Sequence, residues 1–551
     1  MFDLKIIYLC LLNISVFTIA NNVSVALSPH LQKPLAIKNN FTKYPLKIKL
    51  KKIIFKGNTV FTTEQLKEAV ALYEGREITF TELSQARDAI TKLYNDNGYI
   101  NSSAIIPISE NQFLNLNEGA TITIQIVEGQ VEKINISGST HIRDYVFVRL
   151  DASTSPVFNV NRLAKYLRFL QNDPLIKNIS AQINPGSDSN KAVLDVKVEE
   201  KQPFRTEVGL NNERSPSVGS FQRQVQISDA NLLGIGDKFS VGYRNTDGSN
   251  VIETSYALPV NINDGVVQFS FRKFNSSIIE SPFSILDIFA NSQYYEISFK
   301  QPVIKEINSE STKELTIGVS GTYNESKTFL LNQPFRLSVG ANGEGRTKIT
   351  AIRFFQEWLQ RATQEVLFVR SQFSLGFGFL GSTINSSEPD SRFLSWRGQA
   401  YWLRKISKRT NLIVRADLQL ADRPLVPLEQ FGIGGALSVR GYRQDSIVAD
   451  NGFFSTIEFP TTISAMNAGE IQLIPFVDFG TVWKNGGNNN LGNQLTNAST
   501  LASVGMGLSY RIQDDFSARF DFALPIVNFQ NSDSSNTWQE KGLYFSIRYG
   551  F

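Results

Sequence analysis

From about residue 203 onward, apolar and polar residues alternate one by one. Val267, Phe269 and Phe271 alternate with Gln268, Ser270 and Arg272, and Tyr295, Ile297 and Phe299 with Glu296, Ser298 and Lys300. Leu412, Val414, Ala416 and Leu418 alternate with Ile413, Arg415, Asp417 and Gln419. A period of two predicts β-strands with one apolar face. The opposite faces carry more charge than a packed sandwich core accepts. A barrel with lipid outside and water inside accepts both. Turn residues such as Asn263-Asp264-Gly265 separate the runs. About 350 residues, at roughly 22 per strand and connection, predict about 16 strands. Residues 543–551 place Leu543, Phe545, Ile547, Tyr549 and Phe551 on one parity. A chain end usually frays in water. A strand that is apolar to its last residue is instead expected to close a ring and face lipid. The reading is a transmembrane antiparallel β-barrel over 202–551, closed by the face of Phe545, Ile547, Tyr549 and Phe551.

Upstream the period changes. Residues 50–55 read as a strand, Thr62-Thr63-Glu64 opens a helix, and residues 81–94 place Leu83, Ala86, Ile90 and Leu93 at helical spacing before Asn97-Gly98. Strands are expected at 103–108 and 121–127. The β-α-α-β-β order then repeats, with a strand at 131–136, helices at 143–150 and 160–171, and strands at 179–183 and 192–199. Phe55-Lys56-Gly57-Asn58-Thr59 and Ile136-Ser137-Gly138-Ser139-Thr140 share one pattern: an apolar residue, any residue, Gly, a small polar residue and Thr. Motif and order together indicate an internal duplication, 48–128 and 129–201. Residues 21–47 read as an irregular linker; Pro34 and Pro45 and the lack of amphipathic period argue against a helix there. Residues 1–20 read as a secretory signal: Lys5, an apolar stretch over 6–19, and the small-residue end Thr18-Ile19-Ala20.

Charge and composition exclude more than they suggest. The net charge of +4 over 551 residues gives no electrostatic footprint for nucleic acid. Outside the N-terminus there is no apolar run of about 18 residues, hence no transmembrane helix. Cys10, the only cysteine, falls in the signal segment, so the mature chain is expected to have no disulfide, iron–sulfur cluster or thiol chemistry. The two histidines, His30 and His141, are far apart and suit neither a Ser-His-Asp site nor a histidine metal site. Gly376-x-Gly378-x-x-Gly381 spells a dinucleotide motif but lies in an alternating strand and opens no helix. No catalytic, cofactor-binding or metal-binding residues are expected, and the chain reads as no enzyme.

Residues 429–442 break the alternation. Gly432, Gly434, Gly435 and Gly441 crowd a segment that ends in Val439-Arg440-Gly441-Tyr442. Downstream, Phe476, Asp478 and Gly480 share one strand face, while Leu473, Val477, Phe479 and Trp483 form the greasy face. Asp478 should therefore point into the lumen. The next strand offers Ser503, Gly505, Gly507 and Ser509 on its inward face, which leaves space in the wall. The loop is expected to fold back into that space, with Arg440 on Asp478.

These motifs resemble a known family. Val439-Arg440-Gly441-Tyr442 followed by Phe476-x-Asp478-x-Gly480 is similar to the paired motifs of the outer-membrane-protein-85 superfamily. Residues 232–237 (LLGIGD) on an early strand, Ser255-Tyr256-x-Leu258-Pro259 and Glu429-Gln430-Phe431-x-x-Gly434-Gly435 resemble its two-partner secretion transporters, the haemolysin and filamentous-haemagglutinin exporters. A terminal Phe on an apolar strand is likewise similar to the closing signature of bacterial outer-membrane barrels. The resemblance covers nearly the whole mature chain. It implies two periplasmic POTRA domains before the barrel, an outer-membrane location and a latch of Arg440 on Asp478. It also implies a partner: a secreted client protein whose N-terminal secretion domain binds the POTRA domains. Outer-membrane lipid surrounds the barrel, and periplasmic chaperones are compatible with the scheme. The same superfamily includes assembly factors that insert other barrels; they carry more POTRA units, so two units favour secretion.

Overall fold

The computed structural model describes residues 25–27, 47–107, 119–139, 141–308, 310–386, 389–466, 469–485, 498–528 and 537–551. Residues 1–20, expected to be a secretory signal, and most of 21–47, expected to be a linker, lie outside the described residues. The chain divides into two compact units, Ala20–Gln202 and Pro203–Phe551.

The first unit contains β1 (Val25–Leu27), β2 (Ile48–Lys56), α1 (Thr63–Val70), β3 (Glu77–Ile78), α2 (Phe80–Asp96), β4 (Ser103–Ile105), β5 (Ala120–Val127), β6 (Gln130–Ser137), α3 (Arg143–Thr154), α4 (Val160–Gln171), β7 (Ile176–Pro185) and β8 (Lys191–Glu200). Two four-stranded sheets form, ordered β3-β2-β5-β4 and β1-β7-β8-β6. In the first, β2 runs parallel to β5, and β4 antiparallel to β5. In the second, β6 runs parallel to β8, and β7 antiparallel to β8. The repeated order read from the sequence is thus a repeated pairing.

The repetition extends to irregularities. In β2 the apolar residues sit on even positions (Ile48, Leu50) and then on odd ones (Ile53, Phe55). A register shift between Leu50 and Lys52 absorbs the extra residue, so all four are buried. β6 carries the same shift between Val131 and Lys133. Gly57 and Gly138 follow the two strands with φ +84° and +93°, and a Cβ on either would run into a backbone carbonyl, of Ile126 or Val198. A glutamate at the end of the third strand ties each turn. Glu128 accepts from Thr59 N at 2.7 Å and Val60 N at 2.9 Å, and Glu200 accepts from the Ser139 hydroxyl.

The helices follow their sequence signals. Thr62 and Thr79 each cap a helix through a reciprocal box with Gln65 and Glu82. α2 buries Leu83, Ala86, Ile90 and Tyr94. Leu93, expected on that face, is only partly buried. Tyr94 takes the place because its ring packs on Phe61 and Tyr99 while its hydroxyl donates to Glu128 at 2.8 Å. The expected linker is not wholly irregular: Val25–Leu27 pairs in parallel with Ala181–Ile183, filling part of the otherwise open edge of β7.

The second unit is a closed antiparallel barrel of 16 strands. Asn451–Glu458 and Thr461–Met466 count as one strand, interrupted at Pro460, because both pair with Gly469–Trp483. The alternation has its expected sense. Phe269, Ile297 and Phe299 are exposed on the outer wall, whereas Arg415, Asp417 and Gln419 are buried on the inner one. The last strand, Leu543–Gly550, pairs with the first, Phe204–Asn211, from Ser546–Asn211 to Gly550–Glu207. Backbone bonds between Thr206 and Phe551 extend that pairing to the final residue. Ile547, Tyr549 and Phe551 are exposed outward; Phe545 is partly covered by Phe221 and Trp538. Residues 232–237, expected on a strand, form the turn between Gln222–Asp229 and Lys238–Thr246. Gly234 and Gly236 have φ +84° and +80°, which no strand accommodates. Buried Asp237 holds the turn by accepting from Leu233 N and the Tyr256 hydroxyl.

Candidate functional site

The Gly-rich segment leaves the wall as a small hairpin, Phe431–Ile433 paired with Ile447–Ala449. Between its arms the chain folds inward. Gly434, Gly435 and Gly441 take φ +107°, +91° and +92°, a left-handed geometry that side chains with a Cβ resist. Val439 and Tyr442 pack with Phe454, Val482 and Leu501 of the inner wall. Gly480 is required beneath them, since a Cβ there would press on Val439 at 2.8 Å.

Arg440 is the loop's tip and is 1% exposed. Its Nε donates to Asp478 Oδ2 at 2.8 Å and its Nη2 to Oδ1 at 2.7 Å. Its backbone N–H also donates to Asp478, at 3.0 Å. Such a two-pronged grip fixes both position and orientation. The guanidinium lies 3.3 Å from the centroid of the Phe476 ring. Its Nη1 reaches Glu458 at 2.8 Å and Asp521 at 3.4 Å. Arg519 bridges Glu458 and Asp521, each at 2.9 Å, and Arg415 stands 3.8 Å from Glu458. Three arginines thus face three carboxylates, a formally neutral set on the inner wall in which Arg440, Arg415, Asp478 and Glu458 are buried and Arg519 stays partly exposed to the lumen. Burial of a single one of these charges would be strongly unfavourable, and the set is tolerable only as a whole.

The structure brings Val439, Arg440, Gly441, Tyr442, Phe476, Asp478 and Gly480 together. It corrects one detail of the expectation. The space left by Gly505 is filled by the Phe476 ring, and that left by Gly507 by the Asp521 carboxylate. Arg440 rests on the residues that fill the gaps, not in the gaps. An inward aromatic ring and a carboxylate need more room than an inner wall of full-sized side chains leaves, and the glycines supply it.

Sequence reasoning missed Glu458, Asp521, Arg519 and Arg415 as members of the site. All four lie on alternating strands with inward parity, which was readable. Their convergence depends on barrel register, which was not. It also missed Tyr544, buried on the inner face of the last strand. The Tyr544 hydroxyl accepts from Gly441 N at 3.0 Å and donates to Tyr442 O at 2.5 Å.

A 16-stranded barrel with a lumen loop locked by a buried arginine, following α/β units, defines an outer-membrane pore of the protein-transporting class. The chain belongs to the haemolysin secretion/activation protein family, ShlB/FhaC/HecB, whose family model matches residues 190–510. Residues 48–129 match the ShlB-type POTRA domain. The heme/hemopexin transporter protein HuxB of Haemophilus influenzae is 20% identical over 90% of this chain and 86% of its own length. The outer membrane transporter CdiB of Escherichia coli is 22% identical over 86% of this chain and 78% of its own. Among solved structures, CdiB from Escherichia coli superposes with TM-score 0.65 at 19% identity, covering 95% of this chain and 93% of that one. BamA from Haemophilus ducreyi lacking POTRA domains 1–3 superposes with TM-score 0.54 at 13% identity, covering 92% and 100%. These likenesses show the fold. The family makes the chain a two-partner secretion transporter of the outer membrane, with its POTRA region in the periplasm.

Proposed function

We propose that the chain exports one exoprotein client in extended form, and that the loop of Val439, Arg440, Gly441 and Tyr442 is the latch that closes the pore between transport events. Phe476, Asp478 and Gly480 form its seat. Residues 1–20 are the signal that sends the chain to the periplasm, and 21–47 link it to two POTRA domains, 48–128 and 129–201. The second POTRA assignment is supported by the shared pairing, register shift and Gly–Glu turn of the two halves. The client's N-terminal secretion domain binds these domains by adding a strand to a sheet edge. Transport is not a covalent reaction, so neither catalytic residue nor cofactor takes part, and folding of the client outside supplies the direction.

The observation that carries the latch reading is the neutral six-charge set around buried Arg440. A structural salt bridge alone gives little net stability over apolar packing. A charged set that is neutral only with the loop seated gives a closed state that is defined, yet separable in an aqueous lumen. The runner-up, an assembly factor for other barrels, shares the fold; family membership weighs against it.

Quantitative proteomics of medium and outer membrane, with and without the gene, tests the secretion reading. The expected result is loss of one large extracellular protein with membrane barrels unchanged. Depletion of many barrels with no single lost exoprotein would overturn it.

A further inference from the structure

The seam between the last and first strands is incomplete. Phe204 follows the periplasmic unit and marks the periplasmic end of the first strand, so Asn211 lies at the opposite, extracellular end. The ladder stops there, at Ser546–Asn211. Beyond it one backbone bond remains, Asn212 N donating to Phe545 O at 3.3 Å, and side chains carry the rest. Asn212 Nδ2 donates to Leu543 O at 2.8 Å, and Asn212 Oδ1 accepts from Phe545 N at 2.8 Å. Gln539, in the turn before the last strand, is fully buried. Its Nε2 donates to Asn212 O at 2.5 Å and to Arg214 O at 2.7 Å.

The same residues hold the lumen loop. Gln539 Oε1 accepts from Gln444 N at 2.9 Å. Tyr544, on the seam strand itself, accepts from Gly441 N and donates to Tyr442 O. Arg443 of the loop reaches Glu540, next to Gln539, at 3.2 Å. One amide side chain therefore joins three segments: the loop through its oxygen, the first-strand side through its nitrogen, and the last strand through its own backbone. A buried amide that loses one partner bears the cost of an unsatisfied group. Departure of the loop strips Gln539 Oε1 and the Tyr544 hydroxyl of partners together.

We infer that Gln539 and Tyr544 are positioning residues that make the seated loop a tie across the extracellular half of the barrel seam. Loop seating and seam closure are then one coupled equilibrium. The inference rests on the latch reading of the loop and extends it to the wall.

Spin labels on engineered cysteines test it in the full chain in lipid. The one natural cysteine, Cys10, lies in the signal segment. Three pairs are needed. Leu210→Cys with Ile547→Cys reads the seam, whose partners are directly opposite. Val319→Cys with Phe354→Cys reads a distant, fully paired wall and reports whether the barrel has folded. Leu437→Cys with Ser509→Cys reads the loop against the lumen wall. Arg440→Ala is expected to lengthen the loop and seam distances and leave the distant wall unchanged. In a Gln539→Leu background the seam is already longer and Arg440→Ala adds little; Tyr544→Phe, which removes one hydroxyl, acts in the same direction. A loop that moves while the seam stays fixed would overturn the coupling, as would a seam that responds equally with and without Gln539. If Arg440→Ala fails to move the loop, the latch reading falls instead. The coupling is then read from Gln539→Leu alone, which must lengthen loop and seam together because linkage is reciprocal; a change at the seam alone refutes it.

Discussion

Two carboxylates organise this chain in contrasting ways. Glu128 sits at the surface of the first α/β half, partly exposed, and takes only neutral donors: the Thr59 and Val60 amides, the Thr59 hydroxyl and the Tyr94 hydroxyl. Asp478 is sealed in the barrel and faces a cation, Arg440, that itself serves two further acids. Around Glu128 each donor contributes separately, and loss of one leaves a carboxylate that water still reaches. Around Asp478 the six charges cancel collectively, so loss of one leaves a buried excess. Nearby, solvated donors build a turn that stays folded; interdependent charges build a joint that, in the proposed latch, would release as a unit.

The largest effect should come from breaking neutrality. Arg440→Ala leaves two arginines against three carboxylates and is expected to cost about 3–5 kcal/mol where the set remains dry. The readouts are a lower temperature for loss of the folded band in heat-modifiability gels and a raised resting conductance in planar bilayers. Adding Asp478→Ala restores two against two. The double variant should then be less destabilised than the sum of the single ones. Strict additivity would show that the charges act independently, and the contrast with Glu128 would collapse.

A smaller effect sharpens the other side. Gly57→Ala and Gly138→Ala place a Cβ at positive φ against the Ile126 and Val198 carbonyls, with an expected cost of roughly 1–3 kcal/mol each. The helical circular-dichroism band reads this unit selectively, since the described α-helices all precede residue 203. Similar losses at the two glycines would support one turn used twice. A neutral result at either would separate the halves.

How much of this was legible in the sequence follows the same division. Alternation over Val267, Phe269 and Phe271 gave the barrel wall because it depends on neighbours in sequence. Thr62 and Thr79 announced their helices for the same reason. Gly57 and Gly138 exposed the duplication, yet their glutamates went unnoticed: Glu128 meets Thr59 only after β5 has returned beside β2. Asp478 was found through its motif and its parity. Glu458 and Asp521 were not, because what makes them partners is the registration of strands far apart in the chain. Tyr94 displaced Leu93 through its ring contacts with Phe61 and Tyr99 and through one hydroxyl, which donates to Glu128; apolar periodicity registers neither.

The finest test turns on that hydroxyl. Burial alone would raise the Glu128 pKa, but donors from Thr59, Val60 and Tyr94 outweigh it and hold the carboxyl below the ordinary glutamate value. A group whose pKa is depressed on folding stabilises the fold above its unfolded pKa, and that contribution fades as pH falls through the folded value. Glu128→Gln should therefore cost about 1.5–3 kcal/mol near neutrality and progressively less between about pH 5 and pH 3. Denaturant titrations followed by the helical band, in the full chain, give both values. An equal penalty at acid and neutral pH would mean that shape matters there and charge does not. Tyr94→Phe removes a single donor, at about 0.5–1.5 kcal/mol. It should also let the Glu128 pKa rise toward its ordinary value, so that acid loosening begins at a higher pH than in the natural chain. If the onset stays where it was, the two amides alone hold the charge, and Tyr94 is buried for its packing on Phe61 and Tyr99.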